Sequence, residues 1–341
     1  MKISYKSFNL SLKFPFTIAK FSRTSTPIML VKVSYEGCIG IGEASMVPYM
    51  GENEETASSF LSKLDLSNFT YPFDFAAIHQ YMDEISPAMP AVKAAVDIAL
   101  YDLAGKIAQK PCYSFFGSVP QNMPETTYTI GIDEPQMIIK KVEDALQYDF
   151  KLLKVKLGRE NDKQIIQTIR NITDLPLYVD ANQGWTDKNE GLDMAFWLQE
   201  QGIVLIEQPM PKENIDGNAW ITAGSPIAII GDEAVQRLAD VSKAKGVYHG
   251  INIKLMKSAG LYEAYEMIKV ARANDLKILI GCMSETSVAT LAGAALAPLC
   301  DWADLDGPFM TTNNPFKTPD FVAGKYILND EPGLGLKNPD K

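Results

Sequence analysis

Between Lys154 and Lys254 the chain repeats one pattern: a short apolar run, a charged residue, then a turn. The runs are LLKVKLG, PLYVDANQGW, IVLIEQPMP, IAIIGDEA and GINIKLMKSAG. Counted from Lys156, the charges fall at Asp180, Glu207, Asp232 and Lys254, in steps of 24, 27, 25 and 22 residues. Each step is about the length of one strand, loop, helix and return loop. Segments between the runs, such as GLDMAFWLQEQG, are compatible with helices. Short β-branched runs alternating with helices predict a parallel sheet covered on its outside. Equal repeats of that unit predict closure into a (β/α) barrel, with the charged strand ends gathered at one mouth.

The first part of the chain follows a different rhythm. Ile3, Tyr5, Phe8, Leu10 and Leu12 alternate with polar residues and predict one strand. Met29–Tyr35 predicts a second, turned by Glu36-Gly37 into CIGIGEA. The intervening KFPFTIAKFSRTSTP, with two prolines and many hydroxyls, reads as a loop, as does VPYMGENEE before a helix. AVKAAVDIALYDLAGK reads as an amphipathic helix. Val92, Ala95, Val96, Ala99, Leu100 and Leu103 fall on its apolar stripe, and Lys93, Asp97 and Lys106 off it. The expected architecture is α/β: a (β/α)7-8 modified TIM barrel with an N-terminal α+β capping domain. Residues 1–121 form the cap, 122–308 the catalytic barrel, and the tail 309–341 packs back onto the cap. The seventh strand is expected in KILIGCMSE and the eighth in DWADLDGP.

Composition narrows the function. The 341 residues carry a net charge of −10 and are 46% apolar, which describes a soluble globular protein with ample core. With no basic run, nucleic acid is a poor partner. No signal peptide or membrane span is expected, because the longest apolar stretch, VATLAGAALAPL, is short and contains Pro298. Cys38, Cys112, Cys282 and Cys300 lack CxxC spacing and read as reduced, mostly buried thiols of a cytoplasmic protein. Only His79 and His249 are available for histidine chemistry, which argues against a Ser-His-Asp triad or a His-rich zinc site.

Asp180, Glu207 and Asp232 end three successive strands, about 4.8 Å apart, and can converge. Any one of them alone would be read as a helix cap. Three in register repel one another unless a cation sits among them. All-oxygen ligands favour a hard ion, best Mg²⁺, with Mn²⁺ as a substitute. Lys154 and Lys156 lie two apart on a strand and share the barrel's interior face. Lys254 offers an amine from the other side of the carboxylates. Lysines that only neutralise the acids are the bland alternative. Lysines crowded by cations, with the pKa lowered toward neutrality, could act as bases. A metal holding a carboxylate makes the neighbouring α-carbon acidic, and an amine on each face could then invert it.

These motifs together resemble the enolase superfamily, muconate-lactonizing-enzyme subgroup, over nearly the whole chain: KVK at 154–156, VDANQGW at 179–185, IEQP at 206–209, GDE at 231–233 and NIKLMKSAG at 252–260. The general chemistry of that superfamily, a Lys or His base with Mg²⁺ on an enediolate, is well established. The resemblance implies that Lys156 and Lys254 are the acid/base pair, that Lys154 assists, and that Asp180, Glu207 and Asp232 hold Mg²⁺. Asn182 and Glu233 would be their outer partners. His249, five residues before Lys254, is expected to be structural.

The subgroup includes dipeptide epimerases, N-acylamino acid racemases, cycloisomerases and o-succinylbenzoate synthase. DLDGP at 304–308 resembles the Asp-x-Asp with which dipeptide epimerases take the substrate's ammonium, assigning that role to Asp304 and Asp306. Arg23 matches the place of an arginine that binds a glutamate side chain in L-Ala-D/L-Glu epimerases. The implied activity is epimerisation of a small dipeptide in cell wall peptide metabolism. N-acylamino acid racemase and o-succinylbenzoate synthase are the alternatives, and a non-catalytic metal-binding barrel is the remote one. Homo-oligomerisation is left open.

Overall fold

The computed structural model describes residues 1–19 and 21–338. Three antiparallel strands open the chain: β1 (Lys2–Ile18), β2 (Phe21–Tyr35) and β3 (Cys38–Ser45). Three helices follow: α1 (Glu54–Lys63), α2 (Phe75–Ile85) and α3 (Pro90–Ala108). Glu36 (φ 48°) and Gly37 (φ 82°) make the expected tight turn between β2 and β3. Gly40 and Gly42 are required by close packing. A Cβ on either would lie 1.9 or 1.8 Å from the Ala99 or Ala95 carbonyl oxygen of α3.

Two expectations for this region are corrected. Of residues 13–27, expected as a loop, those described, 13–19 and 21–27, are the far half of a long β1–β2 hairpin, paired through Phe16↔Arg23, Thr17↔Ser22 and Ile18↔Phe21, and Lys20 lies outside the described residues. The hydroxyls that suggested a loop pair across the strands, with Thr17 Oγ1 and Ser22 Oγ 2.9 Å apart. Pro15 falls inside the register break between Ser11 and Phe16, where no ladder hydrogen bond is lost. Helix α3 is buried nearly all round rather than amphipathic. Its polar positions are internally paired: Lys93 with Asp83 and the Ser86 carbonyl, Asp97 with His79 Nε2 at 2.8 Å. A helix packed between a sheet and a barrel has no solvent face, so its charges become ion pairs.

The repeat then unfolds as read. Strands β4 (Tyr128–Ile130), β5 (Leu153–Lys156), β6 (Leu177–Asp180) and β7 (Ile203–Glu207) alternate with α4 (Pro135–Gln147), α5 (Asp162–Arg170), α6 (Lys188–Glu200) and α7 (Ile215–Gly224). Strands β8 (Ala228–Gly231), β9 (Gly250–Lys254), β10 (Lys277–Gly281) and β11 (Trp302–Asp304) alternate with α8 (Leu238–Val241), α9 (Leu261–Ala273) and α10 (Ser287–Leu296). The eight strands are parallel neighbours in chain order, and a Thr126↔Ala303 bridge brings the two edges together. A 3₁₀ turn at Gly307–Met310 stands where an eighth helix would be. Leu152, Tyr178, Leu205, Ile230 and Leu279 plug the barrel interior, while the alternate residues, such as Val155, Val179 and Ile206, pack outward against the helices.

The tail makes a two-residue hairpin, β12 (Phe321–Val322) and β13 (Lys325–Tyr326). It packs on the barrel, where Phe321 meets Phe150 and Phe309 and the Tyr326 hydroxyl donates to the Leu305 carbonyl at 2.6 Å. Further on, Leu334 N donates to Asp102 of α3 at 2.9 Å. Residues 339–341 of the expected tail lie outside the described residues. No helix among the described residues is long and apolar enough to cross a membrane. The four cysteines are free, but only Cys112 is fully buried and the other three are half-buried.

Candidate active site

Strand register assembles the site. Lys156 pairs with Asp180, and Asp180 with Glu207, so the three stand in one row across β5, β6 and β7. Asp232 follows the last residue of β8, and Lys254 ends β9. The ligand atoms of Asp180, Glu207 and Asp232 lie within 4.8 Å of one another. The three acids are 0%, 0% and 3% exposed. Such a cluster is costly in itself, and burial together with Asp180 pushes the Glu207 carboxyl up to about 8. Three buried oxygen donors with strain of this kind fit a hard divalent ion.

The amines surround the acids. Lys156 Nζ donates to Asp180 Oδ2 at 2.6 Å. Lys154 Nζ donates to Glu207 Oε2 at 2.6 Å and Asp304 Oδ2 at 2.7 Å. Lys254 Nζ donates to Asp232 Oδ2 at 2.6 Å. The expected lowering of lysine pKa is corrected here for Lys154 and Lys254. Burial does act downward, but Asp304 and Glu207 around Lys154, and Asp232 and Glu207 around Lys254, raise both amines well above the ordinary lysine value. The carboxylates outweigh the neighbouring cations. With their charge shared by a bound dication, that upward pull on the amines would weaken.

Residues passed over in the sequence complete the frame. Lys257, the second lysine of NIKLMK, is buried and donates to Asp232, to the Val235 carbonyl at 3.0 Å and to the Asn252 carbonyl at 2.9 Å. Asn252 Nδ2 donates to Glu207 Oε1 at 2.8 Å. Gln208 Oε1 accepts from Asp232 N at 3.0 Å and Ala234 N at 3.1 Å, which fixes the loop that carries Asp232. Lys257 was legible from its place three residues after Lys254. Asn252 and Gln208 gave no charge signal.

Asn182, Gln183 and Gln208, just past two of the acids, take positive φ of 43°, 64° and 36°. Non-glycine residues hold that conformation only under constraint. Here Asn182 N donates to Asp180 Oδ1 at 2.9 Å, and Gln183 N to the Gln208 carbonyl at 2.8 Å. Asn182 Nδ2 reaches Glu233 Oε1 at 3.4 Å, and burial with Asp232 nearby pushes the Glu233 carboxyl up to about 7. His249 Nδ1 accepts from Ile229 N at 3.0 Å, a structural contact.

The two further acids divide. Asp304 ends β11, with one oxygen on Lys154 and the other accepting from Thr127 Oγ1 at 2.6 Å. Asp306, expected on the same strand face, lies past the strand end as the cap of the 3₁₀ turn. Its Oδ2 accepts from Thr129 N at 2.7 Å, and among the described residues its Oδ1 meets only the Cys282 thiol, at 3.7 Å. Burial, then Asp304, pushes Asp306 up to about 6.

A cavity of about 290 Å³ opens over this site. Lys154, Lys156, Lys254, Asp232, Glu233, Asp304 and Asp306 line its floor, and Phe16, Ile18, Phe21 and Arg23 of the cap hairpin form its roof. Arg23 Nε donates to Thr26 Oγ1 at 3.0 Å and Nη2 to Ser284 Oγ at 2.8 Å, while Nη1 is buried without a partner among the described residues.

Comparison with known proteins gives a concordant result. A protein of Bacteroides thetaiotaomicron named L-Ala-D/L-Glu epimerase is 49% identical over 336 residues, covering 98% of this chain and 88% of that protein. The structure of a dipeptide epimerase from Enterococcus faecalis, complexed with Mg and L-Leu-L-Tyr, matches with a TM-score of 0.89 at 31% identity, covering 98% of both chains. A substrate-liganded L-Ala-D/L-Glu epimerase from Bacillus subtilis matches with a TM-score of 0.90 at 26% identity, again over 98% of both. Residues 2–117 match the mandelate racemase/muconate lactonizing enzyme N-terminal domain, and residues 137–340 match the enolase C-terminal domain-like family. Fold, carboxylate cluster and both family matches place the chain in the mandelate racemase/muconate lactonizing enzyme family of the enolase superfamily.

Proposed function

We propose that the protein is a dipeptide epimerase that inverts the α-carbon of the C-terminal residue, with L-Ala-D/L-Glu the favoured substrate. One observation carries the reading: strands β5 and β9 bear Lys156 and Lys254 and flank the three strands that bear the carboxylates. A substrate carboxylate held over the acids would have one amine on each face of its α-carbon. One lysine removes the α-proton and the other returns a proton to the opposite face. Lys154, bound to Glu207, Asp304 and Asp180, stays an ammonium and offsets negative charge at the cavity floor. Asp180, Glu207 and Asp232 would hold Mg²⁺, which supplies electrostatic stabilisation of the charge that develops on the substrate carboxylate. Asn182 and Glu233 would orient the groups around them. Residues 1–121 would serve as the specificity cap and 122–308 as the catalytic unit, with the tail 309–341 tied to both, through Phe321 to the barrel and Leu334 to α3.

The cavity lies at the small end of ordinary ligand pockets, roughly 300–1,000 Å³, and suits a dipeptide better than a longer peptide. Asp306 has a buried oxygen without a strong donor, which suits the N-terminal ammonium. Asp304, both of whose oxygens are engaged, would add charge rather than a direct hydrogen bond. The first test is proton exchange: a dipeptide library incubated in D₂O should take up deuterium at the C-terminal residue's α-carbon, with Ala-Glu foremost. No exchange with any dipeptide would overturn the reading.

Excess EDTA should abolish turnover and Mg²⁺ restore it. Turnover by protein shown to be free of metal would remove the metal from the mechanism. The apolar neighbours Phe16, Ile18 and Phe21 would also suit an apolar second residue, and Arg23 decides between the two. Its unpaired Nη1 would lack a partner until a carboxylate arrives. Arg23→Ala should lower kcat/KM for L-Ala-L-Glu by about tenfold to a hundredfold, as expected for a charge-assisted hydrogen bond. The same change should leave L-Ala-L-Leu within a few fold. An equal loss on both would take the side-chain role from Arg23.

A further inference from the structure

We propose that Arg159 is a positioning residue that holds the tip of the cap hairpin closed over the Lys156 side of the cavity. Arg159 is exposed and lies three residues after Lys156, in the loop that leaves β5. Its Nε donates to the Ala19 carbonyl at 3.1 Å and its Nη2 to the Ile18 carbonyl at 3.0 Å. Two donors of one planar guanidinium thus grip consecutive carbonyls at the hairpin tip.

The loop that presents Arg159 is itself fixed. The buried Asp162 carboxylate accepts from Gly158 N at 2.9 and 3.0 Å, from Arg159 N at 2.9 Å and from Trp185 Nε1 at 3.0 Å. Gly158, at φ 101°, is required first by the Ala181 carbonyl, which a Cβ would meet at 2.3 Å, and the same Cβ would also crowd Ala19 Cβ of the tip at 3.1 Å. The hairpin therefore docks on a rigid seat. Ile132 N adds a third tie, to the Thr17 carbonyl at 2.9 Å, and Ser284 holds Arg23 from the far side of the mouth.

What the clasp positions is the roof. The Phe16 ring centroid lies 5.7 Å from Lys156 Nζ and 4.9 Å from the Arg23 guanidinium carbon, so the ring is within reach of both cations. Ile18 lines the same cavity. A tip released from Arg159 would withdraw Ile18 and Phe16 and admit water beside Lys156, while Arg23 keeps its ties to Thr26 and Ser284. Arg159 touches no substrate in this account. It acts through the hairpin, and the kinetic part of the inference rests on the epimerase reading.

The test has one arm that is independent of substrate. Amide hydrogen–deuterium exchange of the segment 14–19 is measured in wild-type protein, Arg159→Ala and Arg159→Lys. We expect exchange in Arg159→Ala to rise about tenfold in this segment and to stay unchanged in β6 and β7. Arg159→Lys, which keeps a donor, should recover part of the protection. Unchanged exchange at 14–19 in Arg159→Ala, or an equal rise throughout the barrel, would overturn the clasp. In the kinetic arm, Arg159→Ala should raise KM for L-Ala-L-Glu about tenfold while kcat stays within threefold. A fall in kcat at constant KM would overturn positioning of the roof and assign Arg159 to Lys156 itself. If wild-type protein turns over no dipeptide, the epimerase reading fails, and the exchange arm still decides the clasp.

Discussion

Lys156→Ala and Lys254→Ala are each expected to abolish net epimerisation of L-Ala-L-Glu, while each retains exchange of one epimer. The two amines stand on strands at either side of the carboxylate group, so each serves one face of the α-carbon. Loss of a general base typically costs about 10²–10⁴ in rate. Inversion needs both lysines, so either loss stops it. In D₂O, Lys156→Ala should wash the α-proton out of one epimer without inverting it, and Lys254→Ala should do the same to the other. Both side chains are buried and paired, to Asp180 and Asp232 respectively. Circular dichroism and Mg²⁺ affinity should therefore be measured alongside, so that a misfolded variant is not read as a catalytic one. Wild-type inversion by either variant would end the two-base mechanism for that lysine. Exchange of the same epimer by both variants would contradict the assignment of opposite faces.

The second large effect concerns the substrate's ammonium. N-acetyl-L-Ala-L-Glu is expected to be a far poorer substrate than L-Ala-L-Glu. Asp306 is buried, with Oδ2 committed to Thr129 N and Oδ1 facing only a thiol. A carboxylate in that state gains a strong partner when an ammonium arrives, and removing one member of a buried ion pair costs about 3–5 kcal/mol. That corresponds to roughly 10²–10³-fold or more in kcat/KM. Asp306→Asn should carry most of the same loss on the free dipeptide and narrow its advantage over the acetylated one. Asp304→Asn should act differently, because both Asp304 oxygens are taken by Lys154 and Thr127. It should lower kcat more than it raises KM, through release of Lys154. Equal kcat/KM for free and acetylated dipeptides would remove the ammonium site and favour an N-acylamino acid racemase.

The barrel was legible in the sequence because its signal is local and repeated. Apolar runs at steps of 22 to 27 residues, each ending in a charge, fix strand, helix and mouth before any packing is considered. The carboxylates and lysines followed from the same register, since residues at equivalent strand ends must meet. The cap was less legible. Prolines and hydroxyls in residues 13–27 signal a loop in isolation, yet the described part of the segment belongs to a paired hairpin. Pairing across strands is a long-range choice that composition does not carry. The polar stripe of α3 predicted a solvent face, and only its enclosure between the cap sheet and the barrel made Lys93 and Asp97 internal.

Tertiary structure alone decided three further matters. Asp304 and Asp306, two apart in sequence, differ because the strand ends between them, which leaves one tied to Lys154 and the other with an oxygen beside the Cys282 thiol. The direction of the Lys154 and Lys254 shifts depended on how many carboxylates surround each amine, a sum over neighbours from four strands. The contact of Arg159 with the hairpin tip joins residues about 140 apart. The sequence by itself determined which chemical groups stand at the barrel mouth, because local periodicity sets strand register. Only the folded chain determined which oxygen, amine or backbone carbonyl each group meets, because those contacts join distant segments through packing.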